Sequence, residues 1–131
     1  MRAVDTNVLV RLLVSDDAAQ QRRVAKLLES SAARGEPLLV TPIVLAELAW
    51  VLAVSYGYPR ARIADALDAI IGTPPFVVRP RHEVEVALAW YAAGPADFAD
   101  YLVLAQAQAE GCTSVLTFDR ALLKRPDCER P

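Results

Sequence analysis

The chain has 131 residues, of which 54% are hydrophobic and 23% are charged, and its formal net charge is −2. This composition is typical of a folded protein and excludes a disordered chain, and we expect a single domain over residues 1–131. The net charge gives no support to a strongly basic nucleic-acid binder, although a local basic rim can coexist with an acidic site. No apolar run reaches the roughly 18 residues of a membrane-spanning helix. Asp5 and Arg11 interrupt the apolar start, so we expect a cytoplasmic protein without a signal peptide.

Hydrophobic periodicity and turn residues predict short strands that alternate with helices. The apolar residues 1–4 predict a buried strand, and a helix follows them directly. We expect Gly35 to end a helix over 17–33, and Thr41 and Pro42 to begin another one with a capping hydroxyl. The other predicted elements are a strand at 38–40, helices at 41–54, 60–71, 81–93 and 97–110, strands at 75–79 and 114–118, a short helix at 119–124 and a frayed edge strand in the last seven residues.

This alternation, without hairpin signals, is typical of an α/β fold with a small, mostly parallel sheet flanked by helices. In such folds, ligands bind beyond the carboxyl ends of the strands, where the N-termini of the following helices also lie. Five acidic residues are expected at that edge because each follows a predicted strand or lies in the first two turns of a predicted helix. They are Asp5, Glu47, Asp97, Asp100 and Asp119.

A structural role is open for four of these acids. Asp5, Asp97 and Asp119 can each cap a helix, which contributes about 1 kcal/mol, and Asp100 adds favourable charge to a first turn. Glu47 lies too far from Thr41 to form a capping box, and its helical neighbours are apolar. An unpaired carboxylate on a buried apolar helix is costly. We therefore interpret Glu47 as a residue that binds something.

Carboxylates without a matching Lys or Arg are the expected surroundings of a hard divalent cation such as Mg²⁺ or Mn²⁺. Two such ions, about 3.5–4 Å apart, can activate a water and stabilise the leaving oxygen of a phosphodiester. This chemistry needs no histidine, and we interpret the single histidine, His82, as a solvated side chain. Cys112 and Cys128 fit no metal-ligand spacing and are interpreted as reduced thiols.

Four segments together resemble the PIN-domain ribonucleases, and most closely the VapC toxins of bacterial and archaeal toxin–antitoxin pairs. They are VDTNVL, TPIVLAELAWVL, ADFADYLVLAQAQAEGC and VLTFDRAL, and they occur in the family's order and approximate spacing over nearly the whole chain. Each segment alone is a weak signal, but DTN, DFAD and TFD together are specific. The resemblance implies a PIN-like three-layer α/β fold.

The resemblance also implies roles for individual residues. The family's four acidic positions match Asp5, Glu47, Asp100 and Asp119, which would be both catalytic residues and metal ligands. Asp97 is a neighbouring acid that would assist them. Two polar positions that support the family's site match Asn7 and Thr117, although Thr117 as an ordinary strand residue stays open.

The activity that the resemblance implies is hydrolysis of RNA by an endoribonuclease that uses one or two Mg²⁺ or Mn²⁺ ions. Its products would carry a 5′-phosphate and a 3′-hydroxyl. The implied partners are an RNA substrate, a small VapB-like antitoxin and a second copy of the chain. The helix that contains Trp50 and the stretch 60–71 could supply the protein interfaces, although we expect Trp50 and Trp90 to be core residues.

Two arginines, Arg11 and Arg120, are candidates for phosphate contacts because each lies within two turns of a predicted site acid, and a solvated charge stays open for both. A haloacid-dehalogenase-like phosphatase also begins with an aspartate after its first strand, but it needs a second aspartate where this chain has Asn7. A receiver-like module fails for a similar reason. A catalytically degenerate PIN-fold binding module predicts at least one missing acid, and none is missing.

Overall fold

A computed structural model describes residues 1–131 and divides the chain into two units, Met1–Pro80 and Arg81–Pro131. Six helices and five short strands occur, and all paired strands are parallel, which confirms the predicted α/β class. The strands belong to two sheets, one of three strands and one of two. No helix is long and apolar enough to cross a membrane.

The first unit is built around a three-stranded sheet of β1 (Arg2–Ala3), β2 (Leu38–Val40) and β3 (Phe76–Val78), which lie in this order with β2 at the centre. Its core is formed by aliphatic side chains that are almost completely buried, such as Leu38 and Val40 of the central strand and Leu45 and Leu48 of a flanking helix. The elements are β1 Arg2–Ala3, α1 Thr6–Leu13, α2 Ala18–Arg34, β2 Leu38–Val40, α3 Pro42–Val54, α4 Arg60–Gly72 and β3 Phe76–Val78.

The ends of the helices in this unit follow their capping residues. Gly35 ends α2 in the left-handed conformation, with φ 63°, as predicted. Asp17 begins α2 by accepting a hydrogen bond from the backbone N–H of Gln20 at 3.0 Å. Thr41 precedes α3 as expected, but its hydroxyl makes no capping hydrogen bond, and Pro42 at the first turn has no N–H that needs one.

The second unit packs α5 (Arg81–Ala93) against α6 (Phe98–Ala109). It also carries the two-stranded sheet of β4 (Val115–Leu116) and β5 (Cys128–Glu129). The predicted inward face of α5 is confirmed, because Val84, Leu88 and Tyr91 are buried. The ring of Tyr91 meets that of Phe98 edge to face at 5.9 Å. The elements are α5 Arg81–Ala93, α6 Phe98–Ala109, β4 Val115–Leu116, a 3-10 turn Leu122–Lys124 and β5 Cys128–Glu129.

Some boundaries and exposures differ from the prediction. The first strand comprises only Arg2 and Ala3, both exposed, and only Val4 of that segment is buried. The strand at 114–118 shortens to two residues, and Phe118 is exposed. The strongly β-like sequence therefore overstates both the length and the burial of this strand. Both cysteines are free thiols and His82 is exposed, as expected.

Candidate metal-binding acids

Asp5 begins α1 and is exposed. Its Oδ1 accepts a hydrogen bond of 2.7 Å from the backbone N–H of Thr6, the next residue, and Oδ2 has no protein partner. The capping role is therefore real, but it occupies only one carboxylate oxygen. Asn7 lies in the first turn of the same helix and is exposed.

Glu47 lies in the middle of α3 and is exposed, so the energetic argument made for it from the sequence is wrong. Water already solvates this carboxylate, and it needs no bound partner to offset burial. The sequence was misleading because α3 is apolar on nearly every side. Its pattern therefore does not show which face is turned to solvent.

Apolar side chains surround Glu47 on the exposed face of α3. Ile43, Trp50 and Val54 are exposed to 77%, 62% and 64%, respectively. The expectation that Trp50 is a core residue is therefore wrong, whereas Trp90 is half-buried beneath the guanidinium of Arg125, 4.3 Å from the ring centre. The residues at 43, 47, 50 and 54 follow helical spacing and form one stripe. We call these four residues the α3 stripe.

Asp97 and Asp100 lie together at the start of α6. The backbone N–H of Asp97 donates a hydrogen bond of 3.2 Å to Oδ2 of Asp100. Burial raises the pKa of Asp100 above its ordinary value, and the negative charges of Asp119 and Asp97 raise it further, against the opposing effect of this hydrogen bond. The second unit therefore brings three predicted acids close enough to repel one another.

Asp119 lies three residues after the end of β4 and begins the turn that leads to Leu122. Its backbone N–H donates to Oγ1 of Thr117 at 2.9 Å, and its Oδ1 accepts from the backbone N–H of Leu122 at 2.9 Å. Thr117 is thus more than an ordinary strand residue, because its hydroxyl holds the backbone of the acid. The second oxygen of Asp119 has no protein partner.

Two residues near these acids were not identified from the sequence as site residues. The hydroxyl of Tyr101 accepts a hydrogen bond of 3.3 Å from the backbone N–H of Ala96, which precedes Asp97. A Cβ at Gly94 would collide with this hydroxyl and lie 2.9 Å from the carbonyl oxygen of Trp90. The pair of glycine and proline at 94–95 indicated a chain break, but not that glycine leaves room for the tyrosine that anchors the segment.

The two candidate arginines differ in their surroundings. Arg11 is half-buried and donates to Asp16 at 2.6 Å and to Gln20 at 2.5 Å, and Asp16 also accepts from the hydroxyl of Tyr56 at 2.6 Å. Arg120 is exposed and takes part in no ion pair. The guanidinium of Arg11 is therefore committed to a structural network, whereas that of Arg120 is not.

The donor set fits a hard cation. The chain has four ion pairs, and none includes a predicted metal ligand. Carboxylate oxygens without basic partners are the ligands that Mg²⁺ and Mn²⁺ prefer. Within each unit, no three His, Cys, Asp or Glu side chains lie close enough to hold an ion by themselves.

Comparison with known proteins identifies the family. The sequence profile of the PIN domain matches residues 2–127. The chain belongs to the PIN domain family. PIN domains are generally nucleases that use divalent metal ions and bind nucleic acid. No curated protein matches the chain closely enough to count as a relative.

Membership confirms the PIN-domain resemblance of the sequence motifs, whereas the VapC type stays a prediction. The range that matches the PIN domain also includes all five acids. Arginines 11 and 120 and the supporting residues Asn7 and Thr117 lie within the same range.

Proposed function

We propose that this PIN domain is a metal-dependent endoribonuclease and the toxin of a VapBC-type pair. The observation that carries the proposal is the grouping of Asp97, Asp100 and Asp119, in which the backbone N–H of Asp97 donates to Asp100 Oδ2 and in which burial and the added charges of Asp119 and Asp97 raise the pKa of Asp100. Such mutual repulsion is relieved by a divalent cation, and no Lys or Arg side chain relieves it here. Family membership supports nuclease activity, and the order of the four motifs supports the VapC type.

In this proposal, Asp5, Glu47, Asp100 and Asp119 are the catalytic residues and metal ligands, and Asp97 assists them. Bound there, one or two Mg²⁺ or Mn²⁺ ions would activate a water and neutralise charge on the phosphate. The exposure of Asp5, Glu47 and Asp119 leaves their oxygens accessible to a hydrated ion.

The supporting residues act on the acids through the backbone. Thr117 fixes the turn of Asp119, and the N–H of Asp97 fixes one oxygen of Asp100. Asn7 lies two residues after Asp5 in the first turn of α1 and would orient that carboxylate or its hydration shell. Arg120 would contact a substrate phosphate, because it directly follows Asp119 and is not engaged elsewhere. Arg11 could do so only by giving up its contacts to Asp16 and Gln20.

The proposed partners are RNA, a small VapB-like antitoxin and a second copy of the chain. The α3 stripe supports a protein interface, since large apolar side chains exposed together often mark one. The stretch 60–71 offers less, because its apolar side chains Ile63, Leu67, Ile70 and Ile71 are buried within the first unit.

Two alternative functions predict different biochemical activities. A degenerate PIN-fold binding module would bind RNA or protein without turnover, but the chain retains all four acids of the family pattern. A haloacid-dehalogenase-like phosphatase would need an acid in place of Asn7 and would release inorganic phosphate from small esters.

The test is incubation of labelled total RNA with the purified protein and Mg²⁺ or Mn²⁺, beside EDTA and Asp5→Ala controls. We expect metal-dependent fragments that carry 5′-phosphates and 3′-hydroxyls and that are absent in both controls. Equal cleavage by Asp5→Ala would contradict the proposal, because the activity would then not depend on Asp5. Metal binding without cleavage of any RNA would favour the degenerate module.

A further inference from the structure

Helix α2 carries a disproportionate share of the positive charge. It contains Arg22, Arg23, Lys26 and Arg34 and a single acid, Glu29, so its formal charge is +3. The whole chain has a net charge of −2, so the residues outside α2 carry −5 together. The net charge of the protein is therefore negative although one of its helices is strongly basic.

The basic side chains of α2 share one exposed face. At 100° per residue, the four cations fall within an arc of about 120°. All four are exposed, and none takes part in any of the chain's four ion pairs. The opposite face contains Val24 and Ser31, which are buried, and it fixes the orientation of the helix in its unit. We call the four cations, Arg22, Arg23, Lys26 and Arg34, the α2 strip.

The neighbours of the strip leave its charge accessible. Ala19 and Ala33 lie on the same face and are exposed, so no large side chain covers the cations. Glu29 borders the strip at the position of Lys26 plus three, yet it makes no ion pair with any of its members. Glu36 is also near, since its hydrogen bond with Arg2 and, to a smaller extent, the charge of Arg34 lower the pKa of its carboxyl, but this carboxylate is paired with Arg2 at 2.8 Å. Two carboxylates beside four cations, one of them already paired, leave a positive excess.

The dimensions and residue types of the strip fit a polyphosphate chain. From position 22 to position 34 the helix rises about 18 Å, which is long enough to contact several consecutive phosphates of a single strand. Three of the four cations are arginines, whose planar guanidinium binds phosphate oxygens in a bidentate manner. The acidic cleavage site itself repels phosphate, and the half-buried Arg11 already donates to Asp16 and Gln20. The α2 strip is therefore the better candidate for phosphate contacts.

We propose that the α2 strip is a docking surface for the RNA backbone, separate from the acids that cleave it. This inference rests on the proposed function in taking RNA as the ligand. The strip supplies sequence-independent binding, and the release of counterions from the RNA makes this binding depend steeply on salt. An acidic peptide is the alternative ligand, and the test includes poly-glutamate as a competitor to represent it.

The experiment measures binding of a fluorescein-labelled single-stranded RNA by anisotropy, in EDTA and in an Asp119→Asn background, so that turnover does not interfere. The test variant is Arg22→Gln, Arg23→Gln, Lys26→Gln. The control variant is Arg79→Gln, Lys124→Gln, Arg130→Gln, which removes the same charge from three exposed cations elsewhere. Thermal melts establish that both are folded.

We expect the strip variant to bind more weakly and with a weaker salt dependence. Three lost phosphate contacts, at about 0.7 each for a single strand, lower the slope of log K against log salt by about 2. Between 50 and 200 mM KCl, the parent protein would then lose about 20-fold more affinity than the strip variant. The control variant should keep the slope of the parent.

Equal slopes for the strip and control variants would overturn the inference, since bulk charge alone would then explain binding. Competition by poly-glutamate as effective as that by RNA would also overturn it. Failure of the nuclease proposal is distinguishable, because it appears as absent cleavage by the unmodified protein in Mg²⁺ while the strip still determines the salt slope of RNA binding.

Discussion

The hydroxyl of Tyr101 fills the space beside Gly94 that any larger residue would need, and it accepts the backbone N–H of Ala96 at 3.3 Å. Tyr101 follows Asp100 in sequence, and Ala96 precedes Asp97. Tyr101 therefore links α6, which carries Asp100, to the segment before the helix, which carries Asp97. The hydrogen bond from the N–H of Asp97 to Oδ2 of Asp100 completes this linkage.

Gly94→Ala is expected to destabilise the protein by about 1–3 kcal/mol, the usual cost of overpacking. The added methyl group collides with the Tyr101 hydroxyl and lies 2.9 Å from the Trp90 carbonyl oxygen, so the backbone or the ring must shift. Urea denaturation measures the change. Gly72→Ala is the matched control, because nothing lies within 4 Å of a Cβ there and alanine favours the helix.

A double mutant separates the two contacts at Gly94. Adding Tyr101→Phe to Gly94→Ala should recover part of the lost stability, because it removes the atom that the new methyl meets. If the two free-energy changes were simply additive, the collision with the hydroxyl would not be the cause.

Asp100→Asn is expected to raise the melting temperature in EDTA near neutral pH. The pKa of Asp100 is raised in the folded protein, chiefly by burial and also by Asp119 and Asp97, so the folded state binds this proton more tightly than the unfolded chain. The ionised carboxylate therefore costs stability above the ordinary aspartate pKa, about 3.9, and this cost disappears as the pH falls toward that value. The gain should thus shrink between neutral pH and about pH 4.5.

The matched control for this experiment is Asp68→Asn, an exposed residue of α4 that makes no ion pair. The change in melting temperature of Asp100→Asn is compared with that of this variant at each pH. Saturating Mg²⁺ should also stabilise the unmodified protein, by about 2.7 kcal/mol at 100 times Kd, and stabilise Asp100→Asn less. A loss of stability in Asp100→Asn that is independent of pH would contradict the electrostatic account.

Thr117→Val is expected to weaken metal binding without unfolding the protein. The substitution keeps the shape of the side chain but removes the oxygen that accepts the N–H of Asp119, a hydrogen bond worth about 0.5–1.5 kcal/mol. Substitution of a residue that holds a metal ligand in place typically lowers metal affinity about 10- to 100-fold. We expect a drop of about tenfold here. Titration with Mn²⁺ measures it, with Thr113→Val, an exposed threonine without a hydrogen bond, as the control. Equal affinities in the two variants would show that Thr117 has no positioning role.

Trp50 is expected to be quenched by acrylamide more strongly than Trp90. Trp50 is 62% exposed, whereas Trp90 is half-buried beneath Arg125. The variants Trp90→Phe and Trp50→Phe isolate the two emissions. Protection of Trp50 that grows with protein concentration would support a dimer through the α3 stripe, and protection at every concentration would contradict the exposure of this face.

Local sequence signals correctly predicted elements with clear hydrophobic periodicity or with a characteristic residue at the end, such as a glycine that terminates a helix. The strand 38–40 and the helix 81–93 agree with the structure residue for residue, and Gly35 ends α2 as its left-handed conformation requires. These features depend on short-range periodicity and capping, which the sequence displays directly.

Exposure was predicted less well, because it depends on packing between distant segments. Helix α3 is apolar on nearly all sides, so its pattern did not reveal that Glu47 and Trp50 face solvent. The hydrogen bond between Tyr56 and Asp16 joins residues 40 positions apart, and no local pattern indicates it. The division of the strands between two sheets is likewise a long-range property.

The candidate acids were found by type and position, but their individual surroundings were not. Asp5 and Asp119 do cap turns, as their positions allow, and each still has one free carboxylate oxygen. The raised pKa of Asp100 depends on burial and on Asp119, 19 residues away, and required the structure.

The central claim is that four carboxylates make this PIN domain a metal-dependent ribonuclease. The most direct measurement is the rate of cleavage of labelled RNA at saturating Mn²⁺ by the unmodified protein, by Asp5→Asn, Glu47→Gln, Asp100→Asn and Asp119→Asn, and by Asp68→Asn as the matched control. We expect each of the four variants to lose at least about 100-fold in rate, EDTA to abolish cleavage, and Asp68→Asn to retain the full rate. Cleavage that persists in EDTA, or that is unchanged in the four variants, would contradict the account.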